Sequence, residues 1–375
     1  MTTPTLTAPA VPMLDLAYQH HQVADIVADG FARILATTAY VLGPDVTAFE
    51  RSYADYLGVS DVVGVGNGTD ALVLALRAVG VGPGDEVIIP ANTFVATAEA
   101  VVLVGAAPVL VDPGDDFLMD AATVAAALTA RTRAVIAVHL YGQVADVAAI
   151  RAVAGPEIAI IEDAAQSQGA VRDGIFAGAL GDVAATSFYP GKNLGAYGDG
   201  GGVSTSSETI AHAVRMLRNH GGIERYEHQV IGTNSRLDAL QAVVLSAKLA
   251  RLDEWNEERR AVADHYRLRL AGVSGVQLPV AGERSAHVYH QFVVQVAERD
   301  RVFAEMTAAR IGVAIHYPRP IHLLGAFSRR GLGDAGAFPR AEAQAGRILS
   351  LPIYPGLTRD AQERVIEALL SAVRH

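Results

Sequence analysis

Apolar positions along the chain follow two rhythms. Over residues 18–35 they recur every three or four positions, which predicts a helix. Gly43-Pro44 breaks that pattern, and Val46, Phe49, Tyr53 and Tyr56 resume it as a second helix. From Val62 onward, short unbroken apolar runs appear instead, over residues 62–65, 86–90, 108–112, 134–142 and 158–161. Helical stretches separate them. Such alternation predicts an α/β fold with a mostly parallel sheet covered on both faces. Ligands of such sheets bind beyond the carboxyl ends of the strands.

The second half reads differently. Leu237, Leu240, Val244 and Ala247 begin one long helix expected to run to about Leu270 and to join two domains. Residues 287–296 alternate as an antiparallel strand would, within a smaller C-terminal α/β domain. The expected division is an N-terminal arm (1–20), a large domain (21–245) and a small domain (246–375). Between residues 219 and 236 lies a polar segment with no periodic element, containing Arg225, Tyr226 and His228. Functional loops are often of this kind.

Composition narrows the function. Hydrophobic residues make up 51% and charged residues 19% of 375, which excludes a disordered or fibrous chain. The net charge of −10 argues against nucleic acid or an anionic membrane as partner. With no cysteine there is no disulfide, thiol nucleophile or thiolate metal site, and the histidines show no metal-binding spacing. No signal peptide or membrane-spanning run is seen, so a cytoplasmic protein is expected.

Candidate chemistry gathers at strand ends. Gly66-Asn67-Gly68-Thr69-Asp70 joins a strand to an apolar helix, the geometry that aims backbone amides at a phosphate. Thr69 adds a hydroxyl and is also placed to cap the helix; a plain capped turn is the alternative. Phe94 falls at the next strand end, where a ring lies over a flat ligand or simply enters the core. Asp163 stands where an apolar strand gives way to small polar residues. A carboxylate there holds a pyridine nitrogen protonated, or caps a helix. Lys192 sits in Tyr189-Pro190-Gly191-Lys192-Asn193-Leu194-Gly195, between two expected strands. Taken alone it is an ordinary solvated lysine. Among apolar and glycine residues, desolvation favours its neutral amine, the form that condenses with an aldehyde. Asp163, Lys192 and the phosphate turn are together the contacts that pyridoxal phosphate needs.

The segments VGNGTDAL, PANTFVATAEAV, EDAAQSQGA, SFYPGKNLGAYGDGGGV and GTNSRLDALQA resemble the DegT-type sugar aminotransferases, across nearly the whole chain. The resemblance implies a fold type I pyridoxal-phosphate enzyme acting on nucleotide-linked keto sugars. It assigns Lys192 and Asp163 to catalysis, and Gly68, Thr69, Phe94, Gln166, Ser187 and Asn234 to the cofactor. Asn234 is expected to reach the cofactor phosphate of a neighbouring subunit, so the implied working unit is a homodimer with shared sites. Tyr189, His316 and Tyr317 are implied at the sugar pocket. SFYPGKNLGA and His316-Tyr317-Pro318-Arg319-Pro320 are closer to the 3-aminotransferases than to the 4-aminotransferases. Dehydratase relatives carry histidine in place of the lysine, and this chain keeps Lys192.

The implied reaction passes an amino group from glutamate, through pyridoxamine phosphate, to the keto group of a dTDP-linked keto-deoxysugar at C3. Amination of a 4-keto sugar is the alternative within the family. A non-catalytic pyridoxal-phosphate sensor is weighed against by intact Lys192 and Asp163. A nicotinamide-dependent sugar dehydrogenase needs a better glycine fingerprint than GVGNGTDA.

Overall fold

The computed structural model describes residues 9–224, 226–280, 282 and 284–374, so Arg225 falls outside the description. Helix α1 (Ala17–Thr37) comes first, so the expected arm ends inside its first turn. Gly43, at φ 89°, swings the chain into α2 (Pro44–Leu57), with proline at the start of the helix where its missing N–H costs nothing.

Strands and helices then alternate: β1 (Asp61–Val65), α3 (Gly68–Ala78), β2 (Glu86–Pro90), α4 (Val95–Leu103), β3 (Ala107–Val111), α5 (Ala121–Ala127), β4 (Thr132–Val138), α6 (Val147–Ala154) and β5 (Ala159–Asp163). A short ribbon, β6 (Val171–Arg172) and β7 (Ile175–Phe176), precedes β8 (Val183–Ser187), β9 (Gly201–Thr205) and α7 (Glu208–Leu217). The large sheet has the order β1-β9-β8-β5-β4-β2-β3. The run β3-β2-β4-β5-β8 is parallel, while β9 is antiparallel to both β8 and β1. Helices cover both faces, which is why its strands are unbroken apolar runs. Their carboxyl ends release Asn92–Val95, Asp163 and Ser187 on one side, and the site lies there.

The apolar run 134–142 ends sooner than the pattern suggests. Strand β4 stops at Val138, and Leu140–Gly142 form one 3₁₀ turn with Tyr141 at φ 61°. Gly142 permits it, because a Cβ there would lie 2.9 Å from the His290 nitrogen.

The helix expected over 237–270 is two helices, α8 (Ala239–Leu249) and α9 (Leu252–Leu270), and the expected boundary at 245/246 lies within α8. Arg251 caps α9 at φ −113°, ψ −1°, and its N–H bonds Lys248 O in a tightened turn (3.0 Å). Arg251 Nη2 and Trp255 Nε1 both donate to Gln22 Oε1 on α1, at 2.9 Å each. Those two bonds fix the start of α9 against α1, and apolar spacing continues across the break, so periodicity alone misses it.

The C-terminal region has its own sheet, β10 (Val276–Gln277), β12 (Phe292–Val296) and β13 (Ile348–Leu351), with β12 central and antiparallel to both neighbours. Strand β11 (Ser285–Ala286) instead pairs with β6. The run expected as a strand over 287–296 is strand only from Phe292. Tyr289 sits at φ 43° with its N–H on His287 Nδ1 (2.8 Å), which takes residues 287–291 out of extended geometry. All five β12 residues are buried, so the alternation read from the sequence does not separate an inner from an outer face. Helices α9, α10 (Arg299–Ala308) and α12 (Arg359–Val373) pack on this sheet around Tyr266, Phe292, Met306, Leu349 and Ile366; α11 (Pro339–Ala345) leads into β13. No described helix is long and apolar enough to cross a membrane.

Candidate active site

Helix α3 begins at the mouth of the large sheet. Its N-cap is Asn67, whose Oδ1 accepts the Asp70 N–H at 2.8 Å. Thr69, expected as a possible cap, lies instead in the first helical turn and lines the cavity there. Among the described residues the Gly68 and Thr69 N–H groups donate to no protein acceptor, which leaves the positive end of the helix open. Gly68 has no room for a side chain: a Cβ would lie 2.6 Å from Ser187 Cβ.

Asp163 closes β5. Its Oδ2 accepts from Thr97 Oγ1 at 2.8 Å and its Oδ1 from the Ala165 N–H at 3.2 Å. Because Thr97 gives its proton to the carboxylate, the 2.8 Å bond between Thr93 and Thr97 is donated by Thr93. No helix follows Asp163, the next element being β6, so it caps none. Glu162 points to the other face. It accepts from the N–H groups of Gly178 (2.8 Å), Leu180 (2.7 Å) and Gly181 (2.8 Å) and from His139 Nε2 (2.7 Å). His139 Nδ1 accepts the Ala145 N–H, which places the ring proton on Nε2.

Lys192 rides on the loop between β8 and β9. Phe188 pins the loop twice, its N–H on Gly200 O and its carbonyl taking the Ala196 N–H, both at 2.8 Å. Gly195 is required at the turn, since a Cβ would lie 2.3 Å from Pro190 O. From α8 the buried Lys248 Nζ donates to Gly195 O at 2.7 Å and lies 4.7 Å from the Tyr197 ring centre. Burial lowers the Lys192 amine to about 8, against the pull of the Asp163 carboxylate.

One cavity of about 620 Å³ brings together Gly68, Thr69, Ser187, Asp163 and Lys192, with Phe94, Gln166, Tyr189 and Tyr317. Gln166 is held by two bonds, Oε1 taking the Tyr141 N–H (2.6 Å) and Nε2 donating to Tyr317 Oη (3.0 Å). Phe94 is half exposed rather than core, its ring centre 5.3 Å from that of Tyr317. His316 lies outside this cavity. It lines a second one of about 320 Å³, which shares Phe94, Gln166, Tyr189, Lys192 and Tyr317 with the first. His316 Nδ1 is 2.8 Å from Ser350 Oγ, and burial, helped by Lys192, lowers it to about 4. Asn234 enters neither cavity: it is exposed, while Ser235 beside it takes the Gly66 N–H (2.9 Å) and donates to Asp70 Oδ2 (2.6 Å).

Sequence reasoning missed Thr97, His139 and Glu162, which brace Asp163 and its strand, and also Asn193, Asn256 and His290, which meet behind Lys192. Adjacency to Asp163 and Lys192 was the available signal for Glu162 and Asn193. The others lie far away along the chain.

Residues 24–370 match the DegT/DnrJ/EryC1/StrS aminotransferase family. Two relatives are each 46% identical over 96% of this chain. One is the erythromycin biosynthesis sensory transduction protein EryC1 of Saccharopolyspora erythraea, covered over 98% of its length. The other is dTDP-3-amino-3,4,6-trideoxy-alpha-D-glucose transaminase of Streptomyces venezuelae, covered over 96%. The crystal structure of S. venezuelae DesV in complex with a ketimine intermediate superposes with a TM-score of 0.96 at 45% identity, over 98% of this chain and all of that one. NtdA from Bacillus subtilis, solved with bound cofactor PMP, gives 0.90 at 29% identity, over 100% of this chain and 87% of that one. With its α/β fold, the cavity at its strand ends and a match spanning nearly its whole length, the chain belongs to the DegT/DnrJ/EryC1/StrS aminotransferase family.

Proposed function

We propose that the protein uses pyridoxal phosphate to move an amino group from glutamate to the C3 keto group of a dTDP-linked keto-deoxysugar, working as a homodimer. The observation that carries this reading is the Lys192 amine, lowered to about 8 and sharing one cavity with Asp163 and the open N-terminus of α3. Those groups fit the cofactor. The free Gly68 and Thr69 N–H groups, with the Thr69 and Ser187 hydroxyls, suit its phosphate. Asp163 suits the ring nitrogen, Phe94 the ring face, and Gln166 the ring hydroxyl.

When bound, pyridoxal phosphate supplies an aldehyde that takes up the amino group and a ring that accepts the electrons of the bond being broken. The chain's residues do the rest. Asp163, held by Thr97 and Ala165, keeps a proton on the ring nitrogen through a carboxylate oxygen. Lys192 Nζ, neutral above about pH 8, would take a proton from the donor carbon and deliver one to the sugar carbon. Tyr189, His316 and Tyr317 wall the space where the sugar would lie. Asn234, exposed beside the apolar Ile231 and Val230, is directed in this reading to the phosphate site of a second copy.

The test is incubation of cofactor-loaded protein with glutamate and either dTDP-3-keto- or dTDP-4-keto-6-deoxyglucose, with products read by mass spectrometry. Amino sugar and 2-oxoglutarate are expected from the 3-keto substrate. Product from the 4-keto isomer alone overturns the C3 assignment, and product from neither overturns the reading.

A further inference from the structure

The smaller cavity beside Lys192 is backed by a one-way chain of hydrogen bonds. Asn256 Nδ2 donates to the Gln168 carbonyl at 2.9 Å, and Asn256 Oδ1 accepts from Asn193 Nδ2 at 2.8 Å. Asn193 Nδ2 also donates to the Val288 carbonyl at 3.1 Å, so both of its amide protons are committed. Its Oδ1 is left to face His290 Nδ1 at 3.2 Å. The two backbone carbonyls only accept. Turning either amide over would set oxygen against oxygen, so the polarity of the chain is fixed. Asn193 and Asn256 are 1% exposed and His290 is 8% exposed, so water does not compete along it.

That polarity decides which histidine nitrogen carries the proton. Asn193 Oδ1 needs a donor, so His290 Nδ1 is protonated. Burial first, then Lys192, Arg259 and His316, keeps the ring from taking a second proton. Nε2 is therefore a bare acceptor. It has no protein partner among the described residues, it is not among the buried atoms left unpartnered, and His290 lines the cavity.

We infer that His290 recognises the substrate: its Nε2, fixed as an acceptor by Asn193, takes a hydrogen bond from a hydroxyl of the sugar seated beside Lys192. The inference rests on the nucleotide-sugar reading above. It makes His290 a specificity residue, since a buried acceptor left unmatched disfavours any ligand lacking that hydroxyl.

The test uses pyridoxal-phosphate-loaded protein, with dTDP-glucose and its 2-, 3- and 4-deoxy counterparts as binding probes. Wild-type protein should bind one deoxy counterpart roughly 5- to 100-fold more weakly than dTDP-glucose. His290→Asn keeps an amide N–H within reach of Asn193 and removes the acceptor, so it should bind both ligands alike. His290→Gln, with an oxygen near the Nε2 position, should restore part of the difference. Histidine ¹⁵N spectra, assigned by the signal lost in His290→Asn, should show Nδ1 protonated and Nε2 bare without any ligand. Equal wild-type binding of all four sugars, discrimination surviving in His290→Asn, or a protonated Nε2 overturns this inference alone. Failure of wild-type protein to bind any of the sugars overturns the nucleotide-sugar reading together with it.

Discussion

Thr97 Oγ1 donates to Asp163 Oδ2 at 2.8 Å, from the first turn of α4 across to the end of β5. The bond orients the carboxylate, whose other oxygen accepts the Ala165 N–H. Asp163→Asn should therefore keep most of its pyridoxal phosphate while turnover falls by at least about 100-fold, the scale of losing one preorganised charge contact. Absorbance titration gives occupancy and coupled turnover gives rate. Near-normal turnover in this variant would remove Asp163 from the chemistry.

Lys192 carries a pH signature. Its amine is lowered from 10.5 to about 8, so it is neutral above about pH 8 and charged below. Apo protein should take up pyridoxal phosphate at a rate that climbs with pH and is half-maximal near 8. The unfolded chain holds that proton up to 10.5, so the folded apo protein binds fewer protons between those values. Its stability from this group rises with pH across that window and is lost as pH falls. Lys192→Met should flatten both profiles, and Lys192→Arg should fail to react because guanidinium stays protonated. A midpoint near 10.5 in stopped-flow uptake would show the amine to be solvated.

The cradle is sterically tight. Gly68→Ala brings a methyl to 2.6 Å from Ser187 Cβ, so either the first turn of α3 or the end of β8 must move. Cofactor affinity should drop by at least about tenfold, as expected from displaced phosphate donors. Equilibrium dialysis against pyridoxal phosphate measures it, and unchanged affinity would place the phosphate elsewhere.

Glu162 accepts four hydrogen bonds from wholly protein donors and is fully buried. Glu162→Gln turns two acceptor sites into donors facing N–H groups. It should cost about 2–4 kcal/mol in urea unfolding, the range for breaking a buried charged network. A loss under about 0.5 kcal/mol, the size of an ordinary surface change, would show the network to be dispensable.

Shared sites predict complementation. Chains carrying Lys192→Ala and chains carrying Asn234→Ala should each be poor enzymes. After verified subunit exchange, one site of each mixed dimer holds both lesions and the other neither. Activity should then return in part; no recovery means that Asn234 acts within its own chain or not at all.

What was legible in the sequence was local. Asp163 announces itself by ending an apolar run, Lys192 by its glycine-flanked loop, and the cradle by a glycine turn before an apolar helix. What was hidden depends on distant partners. The break at Ala250-Arg251 owes its place to Gln22, more than 200 positions earlier. Tyr289 hides a left-handed turn within an alternating pattern, because side-chain polarity does not report φ. The relay behind Lys192 joins Asn193 to Asn256 and His290, 63 and 97 positions away. In the sequence these are three unremarked polar residues.

The place of β1 has a consequence during synthesis. Residues 61–65 form an edge strand whose sole neighbour among the described residues is β9, at residues 201–205. As the chain leaves the ribosome, Val62, Val63 and Val65 wait unpaired while roughly 140 further residues are made, on the order of 7–30 s at ordinary elongation rates. The strand cannot be completed until the lysine loop has emerged. Truncated nascent chains ending before residue 200 should therefore be aggregation-prone, and chains extended past 205 should become protease-resistant in this region. The segment that delivers the reactive amine is thus also the one that seals the sheet.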